Sequence, residues 1–175
     1  MTLVVDGSAG LTFPDTKAQT TAYKPEGYIY IRDQKASGTA AQNGSGTTWN
    51  KRNLNTIVAD TVGIAALSSD QFVLPAGTYR LSAHAPTYRQ NQHQLRLRNV
   101  TDGVTVANGG SFYSDSGTVT GSDATLRGRF TIATSKTFEL QHWIATVAGG
   151  AAMGNQVTSG EIEIYAEIEF WKENT

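Results

Sequence analysis

Residues 161–171 alternate charged and apolar side chains, and this eleven-residue pattern constrains the fold more than any other part of the chain. A period of two residues is typical of a β-strand with one face in a core and the other face outside it. We expect Ile162, Ile164, Ala166, Ile168 and Phe170 on the core face, and Glu161, Glu163, Tyr165, Glu167, Glu169 and Trp171 on the opposite face. Because four carboxylates on one face repel one another, the pattern predicts cationic side chains on the neighbouring strands.

The rest of the chain is typical of an all-β protein. Its 175 residues include 18 glycines but only 4 prolines, and no segment has a helical period. Strands are predicted at 28–32, 48–54, 57–62, 71–74, 78–85, 94–100, 104–106, 125–132, 137–145 and 161–171, with exposed loops at 35–47, 108–123 and 147–160 and a weak strand at 111–113. So many strands with no helix between them predict an antiparallel jelly roll. An immunoglobulin-like sandwich is the alternative.

Charge and composition exclude several classes of partner. The net charge of -1 provides no concentrated positive surface for nucleic acid or for an anionic membrane. No apolar run approaches the roughly 20 residues that span a bilayer. Without cysteine, no disulfide or thiolate site can form. We therefore expect a soluble protein, made in the cytoplasm, that neither binds nucleic acid nor inserts into a membrane.

No residue pattern indicates an enzyme, a metal site or a cofactor. The three histidines, His84, His93 and His142, do not have the spacing of metal ligands. There is no nucleophile-elbow motif and no phosphate-binding glycine loop. Glycosidases use two carboxyl groups about 5 to 9.5 Å apart, but neighbouring positions on any strand meet that spacing, so the glutamate cluster alone does not predict one.

Residues 1–25 differ in character from the rest of the chain. They contain short apolar stretches around Leu3, Val5, Leu11 and Phe13 within a mostly polar segment, which is too little apolar surface to fold alone. We expect an N-terminal arm at 1–25 that attaches to another protein through these four residues, and a jelly-roll domain at 26–175.

Two motifs resemble those of a known fold family. The sequence Phe72-Val-Leu-Pro-Ala-Gly-Thr-Tyr79 leading into a strand resembles the segment that opens the central strand in the jelly rolls of tumour necrosis factor and the complement globular head. The order of strand, turn, strand, glycine-rich loop and terminal strand in 126–171 is similar to the closing part of that fold. Since jelly rolls of this family assemble as threefold trimers, the resemblance implies a homotrimer.

Other segments resemble bacteriophage tail-fibre and virion appendage proteins. They are Leu11-Thr-Phe-Pro-Asp15 with Gln19-Thr-Thr21, Tyr30-Ile-Arg-Asp-Gln-Lys-Ala-Ser-Gly38, and the ending Tyr165-Ala-Glu-Ile-Glu-Phe-Trp-Lys-Glu173. This resemblance, which extends over nearly the whole chain, implies a structural protein located in the virion. It implies no catalytic residue. The virion protein that binds the arm is not indicated.

The resembled topology places the first strand, the last strand, strand 94–100 and strand 125–132 side by side in one sheet that faces the threefold axis. The predicted trimer interface is Tyr30, Arg32, Arg96, Arg98, Arg127, Arg129, Glu161, Glu163, Tyr165, Glu167, Glu169 and Trp171. Two functions remain open. One is a fibre or appendage whose loops present groups such as Tyr113 and Met153 to a host-surface glycan or protein. The other is a purely architectural capsid decoration or head fibre.

Overall fold

The computed structural model describes residues 4–6, 10–12, 18–19, 26–64, 67–148 and 150–173, and every regular element within them is a β-strand. The strands are β1 (Val4–Asp6), β2 (Gly10–Thr12), β3 (Ala18–Gln19), β4 (Gly27–Lys35), β5 (Thr48–Lys51), β6 (Thr56–Asp60), β7 (Leu67–Ser68), β8 (Gln71–Leu74), β9 (Gly77–Tyr88), β10 (Asn91–Asn99), β11 (Val104–Ser114), β12 (Gly121–Ile132), β13 (Lys136–Ile144) and β14 (Glu163–Lys172). The predicted all-β class is confirmed.

Two antiparallel sheets form the sandwich. Sheet I has the order β12-β9-β14-β4-β6. Sheet II has the order β11-β10-β13-β8-β7, with β5 also paired to β13. The last strand, β14, lies at the centre of sheet I, where it pairs with β4 on one side and β9 on the other.

The core between the sheets is built on aromatic rings from both of them. Phe170 of β14 is fully buried, and its ring centroid lies 5.4 Å from that of Phe72, 6.3 Å from that of Tyr79 and 6.4 Å from that of Phe130. Ile29, Ile31, Leu95, Leu97, Leu126, Phe138, Leu140 and Ile168 are also buried in this cluster. Burial of side chains of this size contributes about 1.5 to 3 kcal/mol each, so β14 is central to the stability of the domain.

The predicted polar loop at 108–123 is wrong over its first half, because β11 continues to Ser114. The strand crosses Gly109, whose backbone lies so close to β12 that a Cβ there would stand 2.3 Å from the carbonyl oxygen of Thr125. Glycine is required for this close approach, yet it weakens the strand pattern in the sequence.

A β-bulge in β14 overturns part of the predicted alternation. Ile164 pairs with Gln34 and Ala166 pairs with Asp33, which leaves Tyr165 without a partner on β4. A bulge of one residue reverses the faces on its far side. Ile164 is therefore 38% exposed, whereas Glu163 and Tyr165 are only 5% and 2% exposed.

The predicted faces are consequently wrong at the N-terminal end of this strand. Ile162 and Ile164 are not core residues, and Glu163 and Tyr165 are not on the outward face. Glu161 precedes the strand, which begins at Glu163. Beyond the bulge, Ile168 and Phe170 are buried and Glu167, Glu169 and Trp171 are partly exposed, as the alternation predicts.

The predicted strand order is wrong in one place. The strand between β14 and β12 is β9, whereas β10, which carries Arg96 and Arg98, lies in sheet II beside β13. Both strands alternate apolar and cationic residues, so periodicity alone could not decide which of them joins β14. The choice depends on contacts between residues far apart in sequence.

The first three strands form a small antiparallel sheet of their own, in which Val5 pairs with Leu11. Leu3 and Phe13 lie outside the described residues, and the attachment role of these four residues stays a prediction. No helix that could cross a membrane occurs in the described ranges.

Candidate assembly surface

The outward side of sheet I is lined with charged and aromatic side chains, and we call it the charged face. It comprises Tyr28, Tyr30 and Arg32 from β4, Glu167, Glu169 and Trp171 from β14, Arg80, Ser82 and His84 from β9, and Arg127 and Arg129 from β12. On each strand these residues alternate with buried ones, such as Ile29 on β4 and Leu81 on β9. Period-two patterning therefore places all of them on one surface.

Glu167 lies between Arg32 and His84. It pairs directly with Arg32 on β4 and with His84 on β9. Its carboxylate forms a hydrogen-bonded contact with the His84 imidazole Nε2. Partial burial, with a smaller contribution from the charge of Glu169, raises the pKa of Glu167. The acidic row thus lies between basic neighbours within one chain.

An aromatic pair lies beside Glu169, at the other end of the acidic row formed by Glu167 and Glu169. The Tyr28 hydroxyl donates a hydrogen bond of 2.5 Å to Glu169, and the Tyr28 ring centroid is 5.7 Å from that of Trp171. Burial, the bond to Glu169 and the nearby carboxylate charges raise the pKa of Tyr28 to about 12. Tyr28 therefore stays a neutral donor that holds the Glu169 carboxylate beside an apolar patch.

Arginines dominate the β9 and β12 side of the charged face. Arg129 makes a two-point contact with Glu173, with N–O distances of 2.8 and 2.7 Å. These hydrogen bonds raise the pKa of Arg129 and lower the pKa of Glu173. Arg80 donates to Glu26 at 2.5 Å. Arg127 is exposed and has no carboxylate partner among the described residues.

A shallow groove of about 490 Å³ runs between Arg80, Arg127, Arg129 and Trp171. It combines an indole with three guanidinium groups, only two of which have a carboxylate partner in this part of the chain. Glu167 and Glu169 lie on β14, the strand that pairs with β9. A second copy of the surface could therefore meet charges of opposite sign.

The charged face contains seven of the twelve residues predicted for an interface. They are Tyr30, Arg32, Arg127, Arg129, Glu167, Glu169 and Trp171. The other five are elsewhere: Arg96 and Arg98 on sheet II, Glu163 and Tyr165 turned inward by the bulge, and Glu161 ahead of β14. Sequence reasoning missed Arg80 and His84 as members of this surface. Arg80 and His84 alternate with the apolar residues Leu81 and Ala83, and this pattern would have identified them as members of the surface if β9 had been placed beside β14.

The Glu163 side chain points away from the charged face and binds backbone groups of two loops. Its carboxylate accepts backbone N–H bonds from Gly38 at 3.0 Å, Val157 at 3.1 Å and Thr158 at 2.8 Å. These bonds lower the pKa of Glu163. The Tyr165 hydroxyl donates to the Thr39 carbonyl at 2.8 Å. The two side chains that the bulge turns inward therefore hold the loops at 36–47 and 154–162 to the sandwich.

A buried arginine forms hydrogen bonds at the same end of the sandwich as Glu163 and Tyr165. Arg52 is fully buried and donates to the carbonyl oxygens of Pro86, Met153 and Tyr165 at 3.2, 2.9 and 2.7 Å. Burial lowers the pKa of Arg52 to about 10, against an opposing effect of Asp33. Sequence reasoning placed Arg52 in the strand predicted at 48–54 and gave it no role, whereas β5 ends at Lys51, one residue before it.

Two buried histidines lie near this end. His93 Nδ1 is 3.0 Å from His142 Nε2, and His93 Nε2 is 2.6 Å from the Ser122 hydroxyl. Burial lowers the pKa of His93 to about 4 and the pKa of His142 well below its usual value. No group of three or more potential metal ligands occurs in the described ranges. We interpret the pair as a neutral hydrogen-bonded element of the core.

The loop residues named for host contact differ in exposure. Tyr113 is 57% exposed, but Met153 is fully buried. The prediction that Met153 is presented to a host is therefore wrong. Met153 packs with Ile144 and Tyr165, which shows that the glycine- and alanine-rich loop folds over an apolar pocket.

Comparison with known proteins identifies the fold. No family model matches this sequence, and no curated protein matches it. Among solved structures, the globular domain of zebrafish complement 1qA protein superposes with a TM-score of 0.53 at 14% identity, over 87% of this chain and 98% of that one. Murine APRIL superposes with a TM-score of 0.55 at 10% identity, over 85% of this chain and 99% of that one. The chain therefore has the jelly-roll fold of the tumour necrosis factor and complement C1q type.

Proposed function

We propose that this protein is a homotrimeric structural component of a bacteriophage virion, a fibre or appendage held by its N-terminal arm. The observation that carries the proposal is the charged face, which is partly apolar and carries rows of opposite charge. Self-association through one such surface produces a closed assembly when the rotation between copies closes. The trimer is the closed form that the resembled family implies.

The packing of the face suits contacts between copies. Trp171 and Tyr28 provide a tilted aromatic pair, and Arg127 has an exposed guanidinium. Buried aromatic and arginine side chains account for much of the binding energy in protein interfaces. The ion pairs contribute about 0.2 to 1 kcal/mol each while they are exposed. In the assembly these charged groups mainly determine how neighbouring copies are aligned.

The virion role rests on the sequence resemblance, since the likeness to solved structures bears on the fold alone. The arm at 1–25 is the proposed point of attachment to another virion protein. Contact with the host surface, through Tyr113 among others, is the proposed role of the exposed loops. A capsid decoration with no host contact is the alternative within the same class.

Mass measurement in solution tests assembly. Multi-angle light scattering at micromolar concentration should report three times the mass of the chain, and a monomer would contradict the proposal. Attachment is tested separately, by incubating the protein with and without residues 1–25 with phage particles that lack it. The full chain should sediment with the particles and the shortened chain should not. Equal sedimentation of the two would refute attachment through the arm.

A further inference from the structure

Two tryptophans stand side by side on the outward side of sheet II, far from the charged face. Trp49 of β5 and Trp143 of β13 are directly paired across the strands. Trp143 alternates with the buried residues His142 and Ile144, so its side chain points outward. Directly opposed residues share one face of a sheet, and Trp49 therefore points outward too. Both side chains are half-buried, and in the described ranges neither indole N–H has a hydrogen-bond acceptor.

A guanidinium lies over one ring of this pair. The central carbon of the Arg96 guanidinium is 4.0 Å from the centroid of the Trp49 ring. Arg96 Nε donates to Gln141 at 2.6 Å and Nη1 donates to Thr105 at 3.2 Å. Gln141 in turn donates to Glu139. Arginine has five N–H donors, so three of them remain free while its position is held by the indole, the amide and the hydroxyl.

The positive charge at this place is only partly offset, because two guanidinium groups, Arg96 and Arg98, lie near a single carboxylate, Glu139, which is paired directly with Arg98 across the strands. Neither Arg96 nor Arg98 has a carboxylate within salt-bridge distance in the described part of the chain. Burial lowers the pKa of Arg96, and the charge of Arg98 adds to that effect, with Glu139 opposing it. The Glu139 carboxylate is already engaged by Gln71 and Gln141. An anionic group would therefore complement the two guanidinium groups.

We propose that Trp49, Trp143, Arg96 and Arg98 form a binding site for a polysaccharide that carries carboxylate groups, such as a polymer of uronic acids. The C–H groups of a sugar ring pack on the negative face of an indole. The free edge of a guanidinium binds a carboxylate in two-point geometry. Gln94 pairs directly with Trp143, and its side-chain amide nitrogen donates to the Gly109 carbonyl at 2.8 Å.

The site does not depend on the proposed assembly. Sheet II is on the opposite side of the sandwich from the charged face, so self-association through sheet I leaves the site open. If the chain does form a trimer, three such sites would bind one polymer together and strengthen the interaction. A short oligosaccharide removes this effect from the measurement.

Calorimetric titration with trigalacturonate tests the proposal. Two matched probes accompany it: its fully methyl-esterified form, which lacks the charges, and triglutamate, which lacks the sugar rings. Saturable binding is expected for trigalacturonate alone. Absence of that binding overturns the proposal, as does equal binding of the ester or of triglutamate, which would indicate a neutral-sugar site or an acidic-peptide site.

Single-residue variants test which residues form the binding site. Trp143→Ala and Arg96→Gln should each weaken trigalacturonate binding at least tenfold, while Trp171→Ala and Arg127→Gln on the charged face should leave it unchanged. Circular dichroism establishes that each variant is folded. If Trp143→Ala fails to fold, Arg96→Gln carries the test, since it keeps a long polar side chain and removes the charge. An unchanged affinity in Arg96→Gln, or an equal loss in Trp171→Ala, overturns the assignment.

Discussion

Glu163 and Glu167 lie four residues apart on one strand, yet their side chains occupy opposite sides of sheet I. Tyr165 lies between them without a partner on β4, and this single bulged residue reverses the alternation. Glu163 consequently accepts backbone N–H groups from two loops, while Glu167 contacts His84 on the charged face. The same residue type therefore has a structural role at one position and is available for assembly at the other.

Reversing the charge at Glu167 should impair assembly without unfolding the chain. Glu167→Lys reverses a charge in the acidic row, so that the row no longer offers opposite charge to the arginines of a second copy. We expect the dissociation constant of the proposed trimer to rise at least tenfold, which corresponds to about 1.4 kcal/mol. Light scattering over a dilution series measures it. The charge-conserving variant Glu167→Asp is the control, and an unchanged mass profile in Glu167→Lys would show that this face is not the interface.

Changing Glu163 should have the opposite outcome. Glu163→Gln removes the negative charge that accepts N–H bonds from Gly38, Val157 and Thr158. We expect a lower melting temperature and faster hydrogen exchange in the loops at 36–47 and 154–162, with the mass of the assembly retained. Glu167→Gln is the matched control on the same strand. A melting temperature that falls equally in both variants would contradict the distinction between the two sites.

Acid should destabilise the fold through the buried imidazoles. The folded pKa of His93 is lowered to about 4 and that of His142 is lowered well below its usual value, whereas an unfolded histidine titrates near 6.5. The unfolded chain binds more protons between these values. Stability is therefore complete above pH 6.5 and falls as the pH decreases toward 4, by about 1.4 kcal/mol per pH unit for each imidazole at most.

Urea unfolding at several pH values measures this dependence. His93→Gln should reduce the slope of unfolding free energy between pH 6.5 and 4.5, and so should His142→Gln. Ser82→Ala, which changes a non-titrating side chain of the charged face, is the control and should leave the slope unchanged. A slope that is the same in all three variants would mean that the acid sensitivity comes from carboxyl groups.

Removing the buried guanidinium should be the most damaging of these changes. Arg52→Met leaves the carbonyl groups of Pro86, Met153 and Tyr165 without this donor and removes one of the two cations, with Lys35, whose charges favour the buried Asp33 carboxylate. We expect a loss of about 3 to 5 kcal/mol in unfolding free energy, because each buried carbonyl group left without its donor costs about 1 to 3 kcal/mol. In the double variant with Asp33→Asn the loss should be smaller than the sum of the single losses. Additive losses would show that the two groups do not interact.

Along a regular stretch of strand, the sequence alone determined which side chains share a face. The alternation in 161–171 and in 125–132 defined two strands and most of their faces, because side chains of an extended chain point to opposite sides whatever its neighbours are. The resemblance in 72–79 and 126–171 indicated the jelly roll, which the structure and the solved structures of similar fold confirm. Arg127, Arg129, Glu167 and Glu169 were placed correctly on one surface for the same local reason.

Only the tertiary structure decided which strands are neighbours and where the alternation breaks. The pattern of β10 fits the place beside β14 as well as that of β9 does, and the choice depends on closing the chain into two sheets. The bulge at Tyr165 leaves no trace in an alternation that continues through it; it is stabilised by the Thr39 carbonyl and by the loop N–H groups that Glu163 binds. The contacts with Gly38 and Thr39 join residues more than a hundred positions apart, and a local pattern carries no information about them.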